Sequence, residues 1–211
     1  MRSLLLASLL LGATIRQSAA QSPLLHEVRS ELFITSPRIH GFGATVIVEQ
    51  HLEADDLSPN ERIQGLGIVS PVVHGMSLGS EVRQVLTPTG VEHRYVQTML
   101  ATVPVFAGFA IRNRTRLEMR DINTKWSRRY LNRTALGHDV DVLGSTLFPY
   151  VQADLSYDTR FSMVNRREST IGVRIPFGHG VNVDSYLTRQ SDLKRSPLLL
   201  LAGGTIIRVA L

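Results

Sequence analysis

Residues 112–120 read RNRTRLEMR, and a charged side chain stands at every second position of this stretch. The charged row consists of Arg112, Arg114, Arg116, Glu118 and Arg120. Guanidinium and carboxylate groups in such a row can bind anions, or they can pair with one another through bidentate hydrogen bonds. A β-strand would place all five on one face, because strand side chains alternate with a period of two. The stretch therefore predicts a strand with one wholly charged face.

A different chemistry would need a nucleophile beside a base. His93, Asp154 and either Ser80 or Ser156 could form such a set in a hydrolase or acyltransferase. Ser80 follows a glycine, but the G-x-S-x-G nucleophile elbow is missing, and a catalytic triad is recognised by a geometry that spacing does not supply. The sequence therefore predicts no catalytic residue.

Histidine and cysteine usage bears on metals and cofactors. The chain has seven histidines and no cysteine, so it has no thiolate metal site, no disulfide and no cysteine nucleophile. No two histidines stand at the i, i+2 spacing of a strand pair or the i, i+4 spacing of a helix pair, and the H-E-x-x-H pattern is missing. We therefore predict no metal site and no cofactor. The histidines are His26, His40, His51, His74, His93, His138 and His179.

The charge balance raises the question of a nucleic-acid partner. Twenty-three basic residues against eighteen acidic ones give a formal net charge of +5. The basic residues alternate with apolar ones, only Lys125 and Lys194 are lysines, and no recognised nucleic-acid-binding motif accompanies them. We therefore expect no nucleic-acid partner.

The N-terminus has the organisation of a secretory signal peptide. Residues 1–20 read MRSLLLASLLLGATIRQSAA: Arg2 supplies the positive charge, residues 4–15 form the apolar segment, and Ser18 and Ala20 are the small residues before the cleavage site. Cleavage before Gln21 would export a mature chain of residues 21–211, in which no composition shift marks a second domain. The apolar segment is too short to span a bilayer as a helix.

The mature chain is dominated by alternation of polar and apolar residues, in segments of roughly ten residues. Clusters of Gly, Pro, Asp and Asn separate about eleven such segments. Because strand counts in bacterial single-chain outer-membrane barrels are even, we expect one segment to be split or merged. The expectation is an all-β fold of about 10–12 strands.

Alternating strands suit a soluble sandwich or a membrane barrel, and the two differ in which face meets solvent. The export signal, strands of ten residues or more and charges of both signs on the polar faces favour a barrel with polar residues inside. We therefore predict an antiparallel transmembrane β-barrel in the bacterial outer membrane. Its partners would be outer-membrane lipid and, during insertion, the barrel-assembly machinery. Leu211 closes the chain where such barrels commonly end in an aromatic residue.

Several segments resemble a bacterial family known as domain of unknown function 2490. Residues 112–120, followed by RRYLNR at 128–133, resemble its R-x-R-x-E-x-R and R-x-R-Y-R strands, and EHRYVQ at 92–97 resembles its E-x-R-x-x-Q strand. VNVDSYLTRQ at 181–190 resembles a hairpin strand in which a glycine usually precedes the tyrosine; Ser185 stands there instead. The resemblance extends over residues 27–211. It implies an outer-membrane β-barrel and supplies no activity.

The charged lumen of such a barrel allows two interpretations. The charges could form an internal network that fills a narrow barrel, or they could line a small pore that prefers anions. A barrel of about 10–12 strands is little wider than the eight-stranded barrels that side chains fill, and an unpaired buried arginine is costly, so we favour the network. An outer-membrane lipid-modifying enzyme is the third reading, and the oligomeric state stays open. Besides the row at 112–120, the lumen charges are Glu81, Glu92, Arg94, Arg129, Arg133 and Asp154.

Overall fold

The computed structural model describes residues 25–106, 108–142, 144–193 and 199–211, so the predicted signal peptide lies outside the described residues. All regular structure in this part of the chain is β, and none of it is a helix long and apolar enough to cross a membrane. The strands are β1 (Glu27–Thr35), β2 (Gly43–Glu53), β3 (Pro59–Val69), β4 (Met76–Thr87), β5 (Gly90–Pro104), β6 (Phe109–Ile122), β7 (Lys125–His138), β8 (Val140–Val142), β9 (Ser145–Asp158), β10 (Met163–Gly178), β11 (Val181–Asp192) and β12 (Leu199–Ala210).

Eleven of the strands close into a barrel, and the predicted all-β barrel is confirmed. Each strand pairs antiparallel with the next, from β1 to β7 and then from β9 to β12. The three-residue β8 pairs only with β9 and stays outside the ring. The expected even strand number is wrong. With eleven strands the first and last run in the same direction, so β1 pairs with β12 in parallel, from Glu27 opposite Ala202 to Thr35 opposite Ala210.

Because the number of strands is odd, the first strand begins at one rim of the barrel and the last strand ends at the other rim. We call the rim where β1 begins the N-terminal rim and the rim where β12 ends the C-terminal rim. The β2–β3 turn lies at the N-terminal rim, where the Ser58 backbone N–H donates to Asp56 Oδ1 at 2.8 Å. That hydrogen bond lowers the pKa of the exposed Asp56 carboxyl.

The outward face of the sheet is apolar and the inward face is charged. Leu66, Ile68 and Leu78 are 66%, 59% and 62% exposed on neighbouring strands, whereas Glu118 and Arg120 are buried inside the ring. A soluble protein would bury the first set and expose the second. The arrangement is the one expected of a barrel surrounded by lipid.

The aromatic residues of the outward face lie toward the two rims of the barrel. Tyr95 stacks on Trp126 with ring centroids 6.0 Å apart near the N-terminal rim, and Tyr130 and Tyr157 lie side by side on neighbouring strands with centroids 6.3 Å apart. At the C-terminal rim the exposed aromatic residues are Phe42, Phe106 and Phe177. Aromatic rings at both edges of an apolar band are typical of transmembrane barrels.

Three histidines owe their positions to hairpin turns at the C-terminal rim. Each is followed by glycine, and both residues have positive φ, as the two central residues of a type I′ turn must. This backbone role explains why these histidines stand near strand ends. The turns are His40-Gly41 (φ 50° and 83°), His74-Gly75 (φ 49° and 78°) and His179-Gly180 (φ 48° and 74°).

Candidate functional site

The charged row of residues 112–120 runs along β6 with every charged side chain facing the lumen. Arg112 lies near the C-terminal rim and Arg120 near the N-terminal rim, so the row follows most of the length of the barrel. The other side of β6, which carries Ile111, Leu117 and Met119, faces outward. The charged side chains of the row therefore lie at different heights in the lumen and contact different partners.

Near the N-terminal rim the lumen charges form a dense network. Arg120 donates to Glu92 Oε2 at 2.8 Å and to Asp158 Oδ2 at 3.0 Å, while Arg94 donates to Glu92 Oε1 at 2.7 Å. Arg160 closes the network from the β9–β10 turn, with its Nη2 2.6 Å from Asp158 Oδ2. Asp158 is fully buried and is shared among three arginines, Arg120, Arg129 and Arg160. This residue was not singled out from the sequence.

Two further arginine–carboxylate sets extend this network around the wall. Arg83 donates to Glu49 Oε1 and to Glu81 Oε2, each at 2.7 Å. Glu118 lies 3.6 Å from both Arg116 and Arg129, which are long contacts for ion pairs. Charges of opposite sign on neighbouring strands thus neutralise most of this half of the lumen.

Midway along the barrel one member of the charged row stands apart. Arg133 binds Asp154 in a fork, with Nε 2.8 Å from Oδ1 and Nη2 2.6 Å from Oδ2. Arg114 lies directly opposite Arg133 in the β6–β7 ladder. Within the part of the chain that the structure describes, Arg114 has no carboxylate within 4 Å, which distinguishes it from Arg116 and Arg120 of the same row and from Arg133.

Near the C-terminal rim arginines outnumber carboxylates. Asp184 accepts from Arg174, with Nε 2.7 Å from Oδ1, and also from Arg208. Arg112 has no carboxylate of the described residues within 4 Å; its guanidinium lies over the Phe148 ring, 4.4 Å from the centroid. These residues form the most cationic part of the lumen.

Two cavities occupy the lumen, one of about 400 Å³ toward the C-terminal rim and one of about 670 Å³ toward the N-terminal rim. Both touch the same five residues, all charged, which belong to strands β1, β6, β7 and β10. We call this set the constriction, because the two cavities meet there. It consists of Arg29, Glu31, Arg114, Arg133 and Glu168.

The cavity toward the C-terminal rim owes its space to aromatic rings that lie flat against glycines of the next strand. A Cβ at Gly172 would lie 2.6 Å from Tyr150 Cζ, and one at Gly204 would lie 2.4 Å from Tyr186 Cζ. Any side chain at these positions would push the ring into the lumen. The Tyr186 hydroxyl lies 3.0 Å from Glu31 Oε1, which ties that ring to the constriction.

The residues considered for catalysis are not brought together. His93 and Ser80 lie on the outward face, where Ser80 accepts a hydrogen bond from Gln97 at 2.8 Å. Ser156 and Asp154 face the lumen, and Asp154 is held by Arg133. Ser80 and His93 share the outward face but lie four positions apart along the β4–β5 ladder, and Asp154 is on the other face, so no complete set is assembled.

Among the described residues His51 faces the lumen, and no spacing in the sequence predicted this position. His51 Nδ1 lies 3.3 Å from Glu61 Oε2 and 3.5 Å from Glu27 Oε1 at the N-terminal rim. These contacts join β1, β2 and β3, which sequence spacing could not relate. Within the described ranges no group of three or more His, Asp and Glu side chains is placed to hold a metal ion.

Comparison with known proteins gives a likeness of architecture alone. No family model matches the chain, and no curated protein matches it, so the resemblance to domain of unknown function 2490 stays a prediction. Among solved structures, the β domain of the Bordetella autotransporter BrkA is similar, with a TM-score of 0.48 and 10% identity over 80% of this chain and 82% of that chain. LpxR from Salmonella typhimurium has a TM-score of 0.48 and 9% identity over 79% of this chain and 83% of that chain.

Proposed function

We propose that this protein is a β-barrel of the bacterial outer membrane whose lumen is closed midway by a network of charged side chains. The inverted surface carries the proposal: the barrel is closed, its outward face is apolar and its charges point inward. Only lipid makes such an outward face favourable. The signal peptide predicted at residues 1–20 and the resemblance to domain of unknown function 2490 support the same location. Outer-membrane lipid would then surround the barrel after the barrel-assembly machinery inserts it.

Membrane fractionation tests the location. The full chain, expressed with its N-terminal segment in a Gram-negative host, should partition with outer membranes and resist extraction by high salt. A folded barrel should also migrate on a gel differently before and after boiling. Recovery in the aqueous fraction, with no change in migration on heating, would contradict the proposal.

The constriction supports a closed lumen. Arg133 is fixed by its fork onto Asp154, and Arg29 Nη1 lies 4.0 Å from Glu168 Oε2 across the layer. Arg114 lines both cavities in the same layer. Because no carboxylate of the described residues pairs with it, its removal breaks no ion pair. Replacing it should widen the lumen while the rest of the network stays paired.

Planar-bilayer recording tests the closure. The unmodified barrel should give no discrete conductance steps, and Arg114→Ala should give small ones. Arg128→Ala is the matched control, because Arg128 is exposed on the outward face and should leave the barrel silent.

The alternative function is a small pore that prefers anions. It is favoured by the excess of arginine at the constriction, where three arginines meet two glutamates. Discrete steps from the unmodified barrel, with a reversal potential that reports anion selectivity, would replace the closed lumen with this pore. A lipid-modifying enzyme has less support, since the candidate catalytic residues are divided between the two faces of the sheet, with His93 and Ser80 outside and Asp154 and Ser156 inside.

A further inference from the structure

The cavity toward the C-terminal rim has the size and the lining of a ligand site. Its volume of about 400 Å³ lies in the range of small-molecule sites, about 300 to 1,000 Å³. Six arginines and three carboxylates line it, so it carries an excess of positive charge. It also has an apolar part, formed by Leu100, Ala135, Phe148 and Ile206.

Arg112 is, with Arg114, one of two arginines of this cavity that have no carboxylate of the described residues within 4 Å. Its guanidinium lies over the Phe148 ring and meets no carboxylate of the described residues within 4 Å. The ring contacts the flat face of the guanidinium, so the N–H groups along its edge are not used by this contact. These N–H groups form the fork that recognises planar oxyanions. A guanidinium held in this way is preorganised for an anion.

A second cationic centre lies across the cavity. Arg174 and Arg208 share the single carboxylate of Asp184, so two positive charges meet one negative charge. The Arg174 Cζ atom also lies 5.7 Å from the centroid of the Phe148 ring that carries Arg112. Arg112 and Arg174 therefore both lie within about 6 Å of the centroid of one aromatic ring.

The aromatic rings leave this space open because of the glycines opposite them. A Cβ at Gly137 would lie 2.3 Å from Phe148 Cζ, and one at Gly172 would lie 2.6 Å from Tyr150 Cζ. Both rings therefore occupy the space that a side chain on the opposite strand would fill, and would have to move if either glycine carried one. The glycines at these positions thus provide the room that the aromatic rings beside the cavity need.

We propose that this cavity binds a small organic anion, with its phosphate or carboxylate group between Arg112 and the Arg174–Arg208 pair and its apolar body against Leu100, Ala135 and Ile206. The inference rests on the barrel fold and goes beyond the closed lumen, because it gives one half of the lumen a ligand. A soluble anion and the head group of an anionic lipid share this chemistry.

Isothermal titration of the purified barrel in a neutral detergent tests the site, with phenyl phosphate as the probe. Phenyl phosphate should bind, and inorganic phosphate should bind several-fold more weakly, because it leaves the apolar wall uncovered. Arg112→Gln should weaken phenyl phosphate binding about tenfold or more, the effect expected for one charge-assisted hydrogen bond. No binding of phenyl phosphate, or equal affinity for the two probes, would overturn the proposal.

Two variants test whether a loss of phenyl phosphate binding is specific to this cavity. Arg112→Gln leaves no carboxylate without an ion pair, so the variant should fold and keep its heat-modifiable migration. Arg160→Gln makes the same change in the other cavity and should leave phenyl phosphate binding unaltered. Equal losses in the two variants would refute a site at Arg112.

Adding phosphatidic acid to the micelles separates the two sources of anion. Competition with phenyl phosphate would identify a lipid phosphate as the ligand, and undiminished binding would identify a soluble anion; each outcome keeps the site. The closed lumen is judged separately by conductance, because a barrel that conducts could still bind phenyl phosphate, and a silent one could fail to.

Discussion

Arg133 and Asp154 stand directly opposite each other in the β7–β9 ladder and form a forked ion pair, with Nε to Oδ1 at 2.8 Å and Nη2 to Oδ2 at 2.6 Å. The pair fixes one wall of the constriction. It also removes the carboxylate that could have neutralised Arg114, which lies opposite Arg133 on the other side of β7.

Asp154→Asn should destabilise the barrel by about 1–3 kcal/mol, because it leaves a guanidinium in the lumen without its carboxylate. The cost stays below that of a fully buried pair, since the Arg133 side chain is 30% exposed. Urea unfolding in vesicles, followed by the fluorescence of the single tryptophan, Trp126, would measure it. Asp139→Asn, at an exposed position near the C-terminal rim, is the control; an equal loss there would contradict the role of the pair.

Asp184→Asn should have two effects of opposite sign. Unfolding should become easier by about 3 kcal/mol, because Arg174 and Arg208 both lose a carboxylate that is itself buried. Phenyl phosphate should bind more tightly than to the unmodified barrel, since the cavity gains a full positive charge. Denaturant titration and calorimetry on the same preparation would test both, and weaker phenyl phosphate binding would contradict the cationic site.

Gly204→Ala and Gly203→Ala should differ although the two glycines are adjacent. A Cβ at Gly204 would lie 2.4 Å from Tyr186 Cζ, whereas one at Gly203 would have its nearest atoms at 3.6 Å. Displacing the Tyr186 ring would break its hydrogen bond to Glu31, so Gly204→Ala should cost about 1–3 kcal/mol. Gly203→Ala should be close to neutral. Equal unfolding midpoints for the two variants would show that the ring does not need the glycine.

A four-residue polar cluster lies on the outward face, formed by Asn113 and Thr115 on β6 with Asn132 and Thr134 on β7. The two amides and two hydroxyls offer six hydrogen-bond donors, and six contacts of 2.9 to 3.5 Å join them to one another. The cluster therefore satisfies its own donors on a face that would meet lipid.

Asn132→Ala alone should destabilise the barrel by about 1–3 kcal/mol, because the donors of Asn113 and Thr134 lose the Asn132 Oδ1 acceptor in an apolar surrounding. Replacing all four residues by apolar ones of similar shape should cost less than this single change, since no polar group is then left without a partner. The replacements are Asn113→Leu, Thr115→Val, Asn132→Leu and Thr134→Val. Unfolding in vesicles would compare them, and a larger cost for the fourfold variant would contradict the closed cluster.

Several features of the fold could be predicted from the sequence because they are local. Alternation along each segment identified which residues face inward, as the row at 112–120 illustrates. It failed at the start of β12, where LLLAGG at 199–204 does not alternate in polarity. The role of His40, His74 and His179 was also hidden, because a type I′ turn depends on backbone angles at two residues and tolerates many side chains at the first.

The sequence alone determined which side chains of a strand share a face, because strand side chains alternate with a period of two. It also determined the approximate number of strands, because turn residues separate the alternating segments. The segments numbered about eleven, and only the rule of even strand counts argued against that number. Closure of the barrel decided the parallel pairing of β1 with β12, which no single segment encodes. Closure and register also decided the pairing of charges: Arg133 meets Asp154, Arg174 and Arg208 share Asp184, and Arg112 meets an aromatic ring. Pairing across a lumen depends on which strands become neighbours and how far each is shifted, and residues far apart in the chain carry no local sign of that choice.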